Sequence, residues 1–175
     1  MAGSDLKSGH LHSSGYIFKG RARVRALDVV GSASAGLLVV WDTDAAPVAA
    51  TYNRSGTTVT VDKVGHGLVT GDVIGINFEE DSGVIATPGN YSITRIDADS
   101  FSLTDINTGT IANDPDCSYV HSTTDGINAS WLATWHTAAT DIYINGFSIP
   151  DEGIVAKKGI YVAVTNLDSV NIFYS

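Results

Sequence analysis

The sequence predicts an all-β protein, in which a jelly-roll-like β-sandwich carries a small inserted β-barrel module. Valine, isoleucine and threonine alternate with polar residues in period two along much of the chain, a pattern typical of half-buried strands. Turn-forming clusters of Gly, Asn, Asp and Pro return about every eight to twelve residues, which is the spacing of sandwiches and barrels. No window of about a dozen residues carries an apolar stripe at helical spacing, so helices are not expected.

Residues 1–15 form the first predicted element, an N-terminal arm. The segment is rich in Gly, Ser and His. Its low hydrophobicity leaves too little apolar surface for it to fold alone. We expect the arm to lie across a neighbouring protein, which would order it.

Strands follow the arm in order, each recognised by alternating or continuous β-branched and aromatic residues and bounded by turn signals. The predicted strands are Tyr16–Val30, Gly36–Asp42, Thr57–Lys63, Asp72–Phe78, Gly89–Ile96, Ser100–Asp105, Ala129–Thr137, Thr140–Ile149, Gly159–Asn166 and Ser169–Tyr174.

These strands group into two bodies by composition. Residues 16–50 and 131–175 share Gly-, Ala- and Val-rich strands and are predicted to form the β-sandwich domain. Residues 51–130 are more acidic and are predicted to form the inserted β-barrel module. The polar or small segments Ala49–Arg54 and Ser118–Ser130 are expected to be the two crossing linkers.

Composition excludes several classes of protein. Hydrophobic residues make up 43% of the chain, enough for a core without staples, and the single Cys117 permits no intrachain disulfide. The longest apolar run, Ala35–Trp41, is far shorter than the ~20 residues that span a bilayer. No signal peptide begins the chain, which predicts synthesis in a reducing host cytoplasm. Ten basic residues against nineteen acidic ones oppose direct nucleic-acid binding.

The turn His66–Asp72 is the most distinctive motif of the inserted module. Gly67 and Gly71 flank a short loop in which positive φ angles are expected, and Leu68 between them can fold back over the barrel end. His66 is predicted to be a strand-end residue bonded to nearby backbone. A catalytic or metal-binding role is not predicted for it.

An arginine row gives the sharpest interface signal. Arg21, Arg23 and Arg25 alternate with small apolar residues, so that on a strand their guanidinium groups line one face while Ala22, Val24 and Ala26 face the core. One alternative is a solvated strand face. The other is docking against carboxylates of a neighbouring subunit, because the arginine fork binds them with two hydrogen bonds. The candidate carboxylates lie in the acidic loop Glu79, Glu80 and Asp81.

His10 and His12 stand two residues apart, which places both rings on one side of an extended segment. Zinc can use this arrangement, but no further ligands stand nearby in the sequence. The pair is therefore assigned to the interface residues, and no metal or cofactor is predicted. No catalytic motif is recognised in the sequence, so no catalytic residues are predicted and the chain is expected not to be an enzyme.

Four aromatic residues, Trp131, Trp135, Tyr143 and Phe147, fall mostly at odd positions of one region. Such a row packs as a sandwich face or presents a platform on which sugar rings stack. The second alternative predicts a glycan-binding module.

Two groups of motifs resemble structural proteins of tailed bacteriophages, particularly marine, cyanophage-like podoviruses. In the inserted module the resemblance rests on the His66–Asp72 turn together with Gly89, Tyr91, Ile93, Ile96, Asp97 and Phe101–Leu103. In the outer body it rests on the strand ends and a proline-glycine corner, in Gly36–Thr43, Ile149–Ile154, Lys158–Val162 and Val170–Tyr174. The resemblance implies a virion protein that acts by contact, as a capsid decoration (cement) protein or a head-tail or tail accessory. The alternative that it implies for the aromatic row is a host-glycan-binding module of a tail appendage. Its implied partners are capsid, portal or tail subunits and further copies of itself, in a trimer or higher ring.

Overall fold

The computed structural model describes residues 6–80, 83–121, 128–138, 143–149 and 152–175. Within these ranges the protein has strands and no helix, which confirms the predicted all-β class. The strands in this part of the chain are β1 (Lys7–Leu11), β2 (Gly15–Lys19), β3 (Ala22–Gly31), β4 (Gly36–Asp42), β5 (Val48–Asp62), β6 (Val73–Phe78), β7 (Gly89–Ser92), β8 (Thr94–Arg95), β9 (Ser100–Ile111), β10 (Asp116–Val120), β11 (Ser130–Thr137), β12 (Tyr143–Ser148), β13 (Ile154–Ala156), β14 (Gly159–Thr165) and β15 (Leu167–Tyr174).

The chain divides into two compact units. Unit 2 is Pro47–Trp131, and unit 1 contains the described residues on both sides of it. The predicted linker Ala49–Arg54 is not a linker, because it lies inside β5. Alternate side chains there are buried, but one of them is Arg54, and a buried arginine disguises the period-two pattern. The second predicted linker, Ser118–Ser130, begins with the end of β10 and also includes residues outside the described ranges.

Unit 1 contains two sheets that pack as a sandwich. The first has the order β1-β15-β3-β12, with β13 also paired to β3, and the second has the order β11-β4-β14-β2. The predicted strand Tyr16–Val30 is therefore two strands in different sheets, separated by a turn at Gly20. The buried core between the sheets includes Val24, Leu27, Leu38, Val40, Ile160, Val162, Val170 and Ile172.

The N-terminal segment differs from the expected arm. Residues 7–11 form β1, which pairs antiparallel with β15 from Lys7 opposite Tyr174 to Leu11 opposite Val170. Backbone hydrogen bonds to its own unit order this segment, although its side chains are polar. Deleting residues 1–14 would therefore uncover the edge of β15 instead of leaving the fold intact.

Asp42 is a buried carboxylate that closes one end of unit 1. It stands at the end of β4 and accepts backbone N–H bonds from the turn between β13 and β14. The distances are 2.7 Å from Lys157, 2.7 Å from Lys158 and 3.1 Å from Gly159. These bonds continue the pairing of β4 with β14 beyond its last residues, so Asp42 holds the turn in place.

Unit 2 is a single nearly closed, barrel-like sheet of order β7-β6-β10-β5-β9-β8. The long strand β5 pairs with β10 through its first residues and with β9 through its later ones. The sheet encloses its own core, which includes Tyr52, Val59, Val61, Ile74, Ile76, Phe78, Ile93, Phe101 and Ile111.

The pairing of β5 with β9 is interrupted, and a buried ion pair fills the interruption. Gly56 pairs with Gly109 but Thr58 pairs with Thr104, so several residues of β9 loop out of the ladder. Asp105 begins this loop, and its Oδ2 lies 2.6 Å from Nη1 of Arg54, with both side chains almost fully buried.

Hydrogen bonds hold Asp105 in its charged form. Burial would raise the pKa of this carboxyl, but hydrogen bonds from Thr87, Asn107 and Arg54 outweigh burial and keep the pKa below its usual value. The carboxylate thus has hydrogen-bond partners besides Arg54, which offsets part of the cost of its burial, whereas the buried Nε of Arg54 has no hydrogen-bond partner among the described residues.

Gly75 lies where the end of unit 2 crosses its sheet. A Cβ at this position would stand 2.1 Å from the backbone nitrogen of Trp131. Asn90, on the neighbouring strand, accepts a hydrogen bond from that nitrogen at 2.9 Å and donates one to the Trp131 carbonyl at 3.2 Å. Because Gly75 has no side chain and the Asn90 amide binds the Trp131 backbone, the last residue of unit 2 lies directly against the sheet.

Candidate contact surfaces

The arginine row is only partly arranged as predicted. Arg21 precedes β3 and is exposed, whereas Arg23 and Arg25 are half-buried. The expected core position of Ala26 is wrong, since Ala26 is half-buried and Leu27 takes its place. The cause is an irregularity in the pairing of β3 with β15. No residue of β15 stands opposite Arg25, so the alternation of buried and exposed side chains shifts by one residue.

Both half-buried arginines contact their own unit. Nη1 of Arg23 lies 3.1 Å from Oε2 of Glu152, and Nε of Arg25 donates to Oγ of Ser175 at 3.1 Å. Glu152 is exposed, so its ion pair with Arg23 contributes at most about 1 kcal/mol. Arg23 can exchange this carboxylate for one on another protein at little cost.

The predicted acidic partner loop follows β6 in unit 2. Glu79 and Glu80 are exposed, and Asp81 lies outside the described residues. The backbone of Glu79 is held firmly, since its carbonyl accepts the Tyr52 hydroxyl at 2.6 Å and its N–H donates to the Asp116 carbonyl at 2.9 Å. Partial desolvation and the neighbouring Asp116 carboxylate raise the pKa of Glu79.

His10 and His12 do lie together, as their spacing predicted. Their Nε2 atoms are 3.0 Å apart. Nδ1 of His10 is 2.6 Å from Oδ1 of Asn171, and Nδ1 of His12 is 2.9 Å from the carbonyl oxygen of Asp168. Sequence reasoning missed Asn171 and Asp168, because only the pairing of β1 with β15 brings them to the histidines.

The His66 turn is held as predicted. His66 Nε2 lies 3.2 Å from the carbonyl oxygen of Asp97, while His66 Nδ1 accepts the Leu68 N–H at 3.0 Å. Leu68 is buried in the core, and Gly65 donates its N–H to Oδ1 of Asp99 at 2.8 Å. These contacts confirm that His66 is bonded to nearby backbone, but it is not a strand-end residue, because β5 ends at Asp62 and His66 lies on the loop that follows.

Asp97 organises the adjoining turn between β8 and β9. Its Oδ1 accepts the Asp99 N–H at 2.8 Å and the Ser100 hydroxyl at 3.0 Å. These hydrogen bonds, chiefly the one from Asp99, hold the pKa of Asp97 below its usual value. The 63–72 loop and the 95–100 turn are therefore joined into one rigid end of unit 2.

This end presents three exposed aliphatic side chains, which we call the loop surface: Val64, Val69 and Ile96. Their exposed fractions are 83%, 55% and 55%. Val64 and Val69 lie on the loop, and Ile96 lies beside the turn, where the Arg95 N–H donates to Oγ1 of Thr70 at 3.0 Å. Sequence reasoning missed the loop surface, because an aliphatic residue near a turn does not reveal whether it points inward, as Leu68 does, or outward.

A shallow open pocket adjoins the loop surface at Val64. Its walls combine small residues with charges of both signs, a composition suited to the polar rim of a protein interface. The lining residues are Ala49, Ala50, Thr51, Asp62, Lys63, Val64 and Asp116.

Of the four residues in the aromatic row, the structure describes the side chains of Trp131 and Trp135. Trp135 is partly buried against the core of unit 1, as expected for a sandwich face. Trp131 is half-buried, and the side chains of Tyr143 and Phe147 lie outside the described part of the chain. The described rings thus favour core packing for Trp135.

Among the residues that the structure describes, no three His, Cys, Asp or Glu side chains are grouped to hold a metal ion. The same residues include no helix of the length and apolar character needed to cross a membrane. No protein-family model, curated protein or solved structure matches the chain.

Proposed function

We propose that the chain is a non-enzymatic structural protein of a tailed-bacteriophage virion, which acts by protein-protein contact. Its role is capsid decoration or that of an accessory protein at the head-tail junction or tail. The protein is made in the host cytoplasm and joins other virion proteins there, as one of several identical copies. The motif resemblance supports the virion setting, and the loop surface supports the mode of action.

The observation that carries the proposal is the rigid exposure of Val64, Val69 and Ile96. Exposed aliphatic groups held on ordered backbone bind a partner without first losing loop entropy, which raises affinity at a given contact area. Charged residues of the adjoining pocket provide a rim that selects the partner. Adhesion of this kind needs buried area and no reaction chemistry.

The first test is the stoichiometry of the chain in purified virions of the phage that encodes it. Quantitative mass spectrometry measures its ratio to the major capsid protein. A ratio near one is expected for a decoration protein, and a ratio of a few per cent for a tail or head-tail accessory. Absence of the chain from purified virions would refute the proposed function.

The second test concerns the loop surface itself. The double substitution Val69→Asp and Ile96→Asp should lower incorporation into particles at least tenfold, because it places two charges in an apolar contact. Ile106→Asp is the control: Ile106 is 80% exposed in the same unit but lies beyond the Thr58–Thr104 pair, among the residues of β9 that loop out of the ladder. Equal incorporation of both variants would remove the loop surface from the proposal.

A further inference from the structure

We propose that His10 and His12 form a binding site for a late first-row transition-metal dication, of which Zn²⁺ and Cu²⁺ are the test cases. The two ring Nε2 atoms face each other across 3.0 Å on the exposed side of unit 1. Two nitrogens bound to one tetrahedral zinc ion at ~2.0–2.1 Å lie about 3.3 Å apart. A small adjustment of the two exposed rings therefore accommodates the ion.

The tautomer of His12 is fixed by its surroundings. Its Nδ1 lies 2.9 Å from the carbonyl oxygen of Asp168, and a carbonyl oxygen can only accept a hydrogen bond. Nδ1 therefore carries the proton, and in the neutral ring Nε2 has a free lone pair. A ring N–H held by a backbone carbonyl is the usual support of a metal-binding histidine.

His10 is supported from the neighbouring strand. His10 on β1 pairs with Asn171 on β15, whose amide oxygen Oδ1 faces the ring. An amide oxygen can only accept a hydrogen bond. Oδ1 stands 2.6 Å from Nδ1 of His10, which places the proton on that atom and leaves Nε2 free to bind the ion.

With both Nδ1 atoms protonated, the two Nε2 lone pairs are 3.0 Å apart and available to one dication. Imidazole nitrogen suits Zn²⁺ and Cu²⁺, and a two-ligand site favours Cu²⁺ by the general order of affinities. The remaining coordination positions are open to water or to side chains of a second copy.

The ion is not needed for the fold, because β1 is held to β15 by backbone pairing. Binding can therefore be measured on the folded full-length chain, prepared without a polyhistidine tag. Isothermal titration with Zn²⁺ and with Cu²⁺ should show a saturable site of at most one ion per chain. Shifts of imidazole ¹⁵N resonances should identify Nε2 of His10 and His12 as the bound atoms.

Variants separate ligation from support. His10→Ala and His12→Ala should each abolish saturable binding at ion concentrations that fill the wild-type site. Asn171→Ala should weaken binding about 10–100-fold, the usual cost of losing a hydrogen bond behind a ligand. His136→Ala is the control, since His136 is an exposed histidine of the same unit and its loss should leave binding unchanged.

Thermal unfolding of each variant checks that unit 1 remains folded. Absence of saturable binding to the wild-type chain would overturn the proposal and leave the two rings as a hydrogen-bonded pair. Binding that survives the double substitution His10→Ala and His12→Ala would also overturn it. Binding equally sensitive to His136→Ala would show unspecific histidine binding and reject the site.

Discussion

Units 1 and 2 are both all-β, yet each accommodates a buried carboxylate in a different way. Asp42 of unit 1 stands where the β4–β14 pairing ends and binds three backbone N–H groups of the next turn. Asp105 of unit 2 stands where the β5–β9 pairing is interrupted, and it binds the Arg54 guanidinium. In both units a buried carboxylate supplies hydrogen bonds at a place where a ladder stops, at its end in unit 1 and in its middle in unit 2.

Breaking the ion pair of unit 2 should have the largest effect. Arg54→Ala leaves the Asp105 carboxylate buried without its cation, and removal of one partner of such a pair costs about 3–5 kcal/mol. Amide hydrogen exchange should show the loss in the strands of unit 2. Arg95→Ala, an exposed arginine of the same unit, is the control and should cost less than about 1 kcal/mol.

A hydrophobic replacement of both partners sharpens this prediction. Arg54→Met combined with Asp105→Leu should be less destabilising than Arg54→Ala alone, because no unpaired charge remains. Chemical denaturation of the two variants compares their free energies of unfolding. A double variant less stable than Arg54→Ala would show that shape, and not charge, governs this position.

The corresponding change in unit 1 is Asp42→Ala. It leaves the N–H groups of a largely buried turn without an acceptor, and we expect a loss of about 2–3 kcal/mol in unit 1. Hydrogen exchange of β4 and β14 measures the effect. Asp168→Ala is the control because Asp168 is an exposed carboxylate of the same unit; a loss equal to that of Asp42→Ala would contradict the importance of the three backbone bonds.

Acid should weaken unit 2 through Asp105. The pKa of this carboxyl is lower in the folded chain than its ordinary value of 3.8. Its contribution to stability is therefore complete above the unfolded pKa and is lost as pH falls through the folded pKa. We expect the difference in free energy of unfolding between the wild-type chain and Asp105→Asn to be smaller at pH below 3.8 than at neutral pH, as measured by chemical denaturation. An equal difference at both pH values would contradict the lowered pKa.

The smallest expected effect concerns the end of unit 2 that carries the loop surface. His66→Ala removes the bonds to Leu68 and Asp97, and we expect a loss of about 1–2 kcal/mol. Hydrogen exchange should quicken in the 63–72 loop more than in the rest of the unit. His136→Ala, in unit 1, should leave that loop unchanged.

The sequence predicts a strand well where an apolar run is continuous and bounded by turn signals. The predicted and observed limits of β4 agree at Gly36 and Asp42. The first half of β5 was missed because Arg54 is buried, and β1 was missed because its stability comes from a partner strand at the other end of the chain. Burial of a charge and distant pairing are tertiary effects, which local composition does not report.

The candidate surfaces follow the same division. Spacing alone places His10 and His12 together, but Asn171 joins them only through the β1–β15 register. Likewise, the His66–Asp72 turn is recognisable from its glycines, whereas the outward direction of Val64, Val69 and Ile96 depends on the hydrogen bonds that fold the loop.

The nearness of the two ends of unit 2 has a consequence for engineering and for evolution. Val48 pairs with Tyr119, β10 pairs in turn with β6, and the Trp131 backbone lies against Gly75 of β6. Neighbouring strands are about 5 Å apart, so the first and last residues of the unit lie about two strand spacings from each other. A module whose ends are neighbours can be inserted into a host loop at little entropic cost. Residues 47–131 should therefore behave as a portable cassette, able to fold by themselves and to be grafted onto an unrelated scaffold.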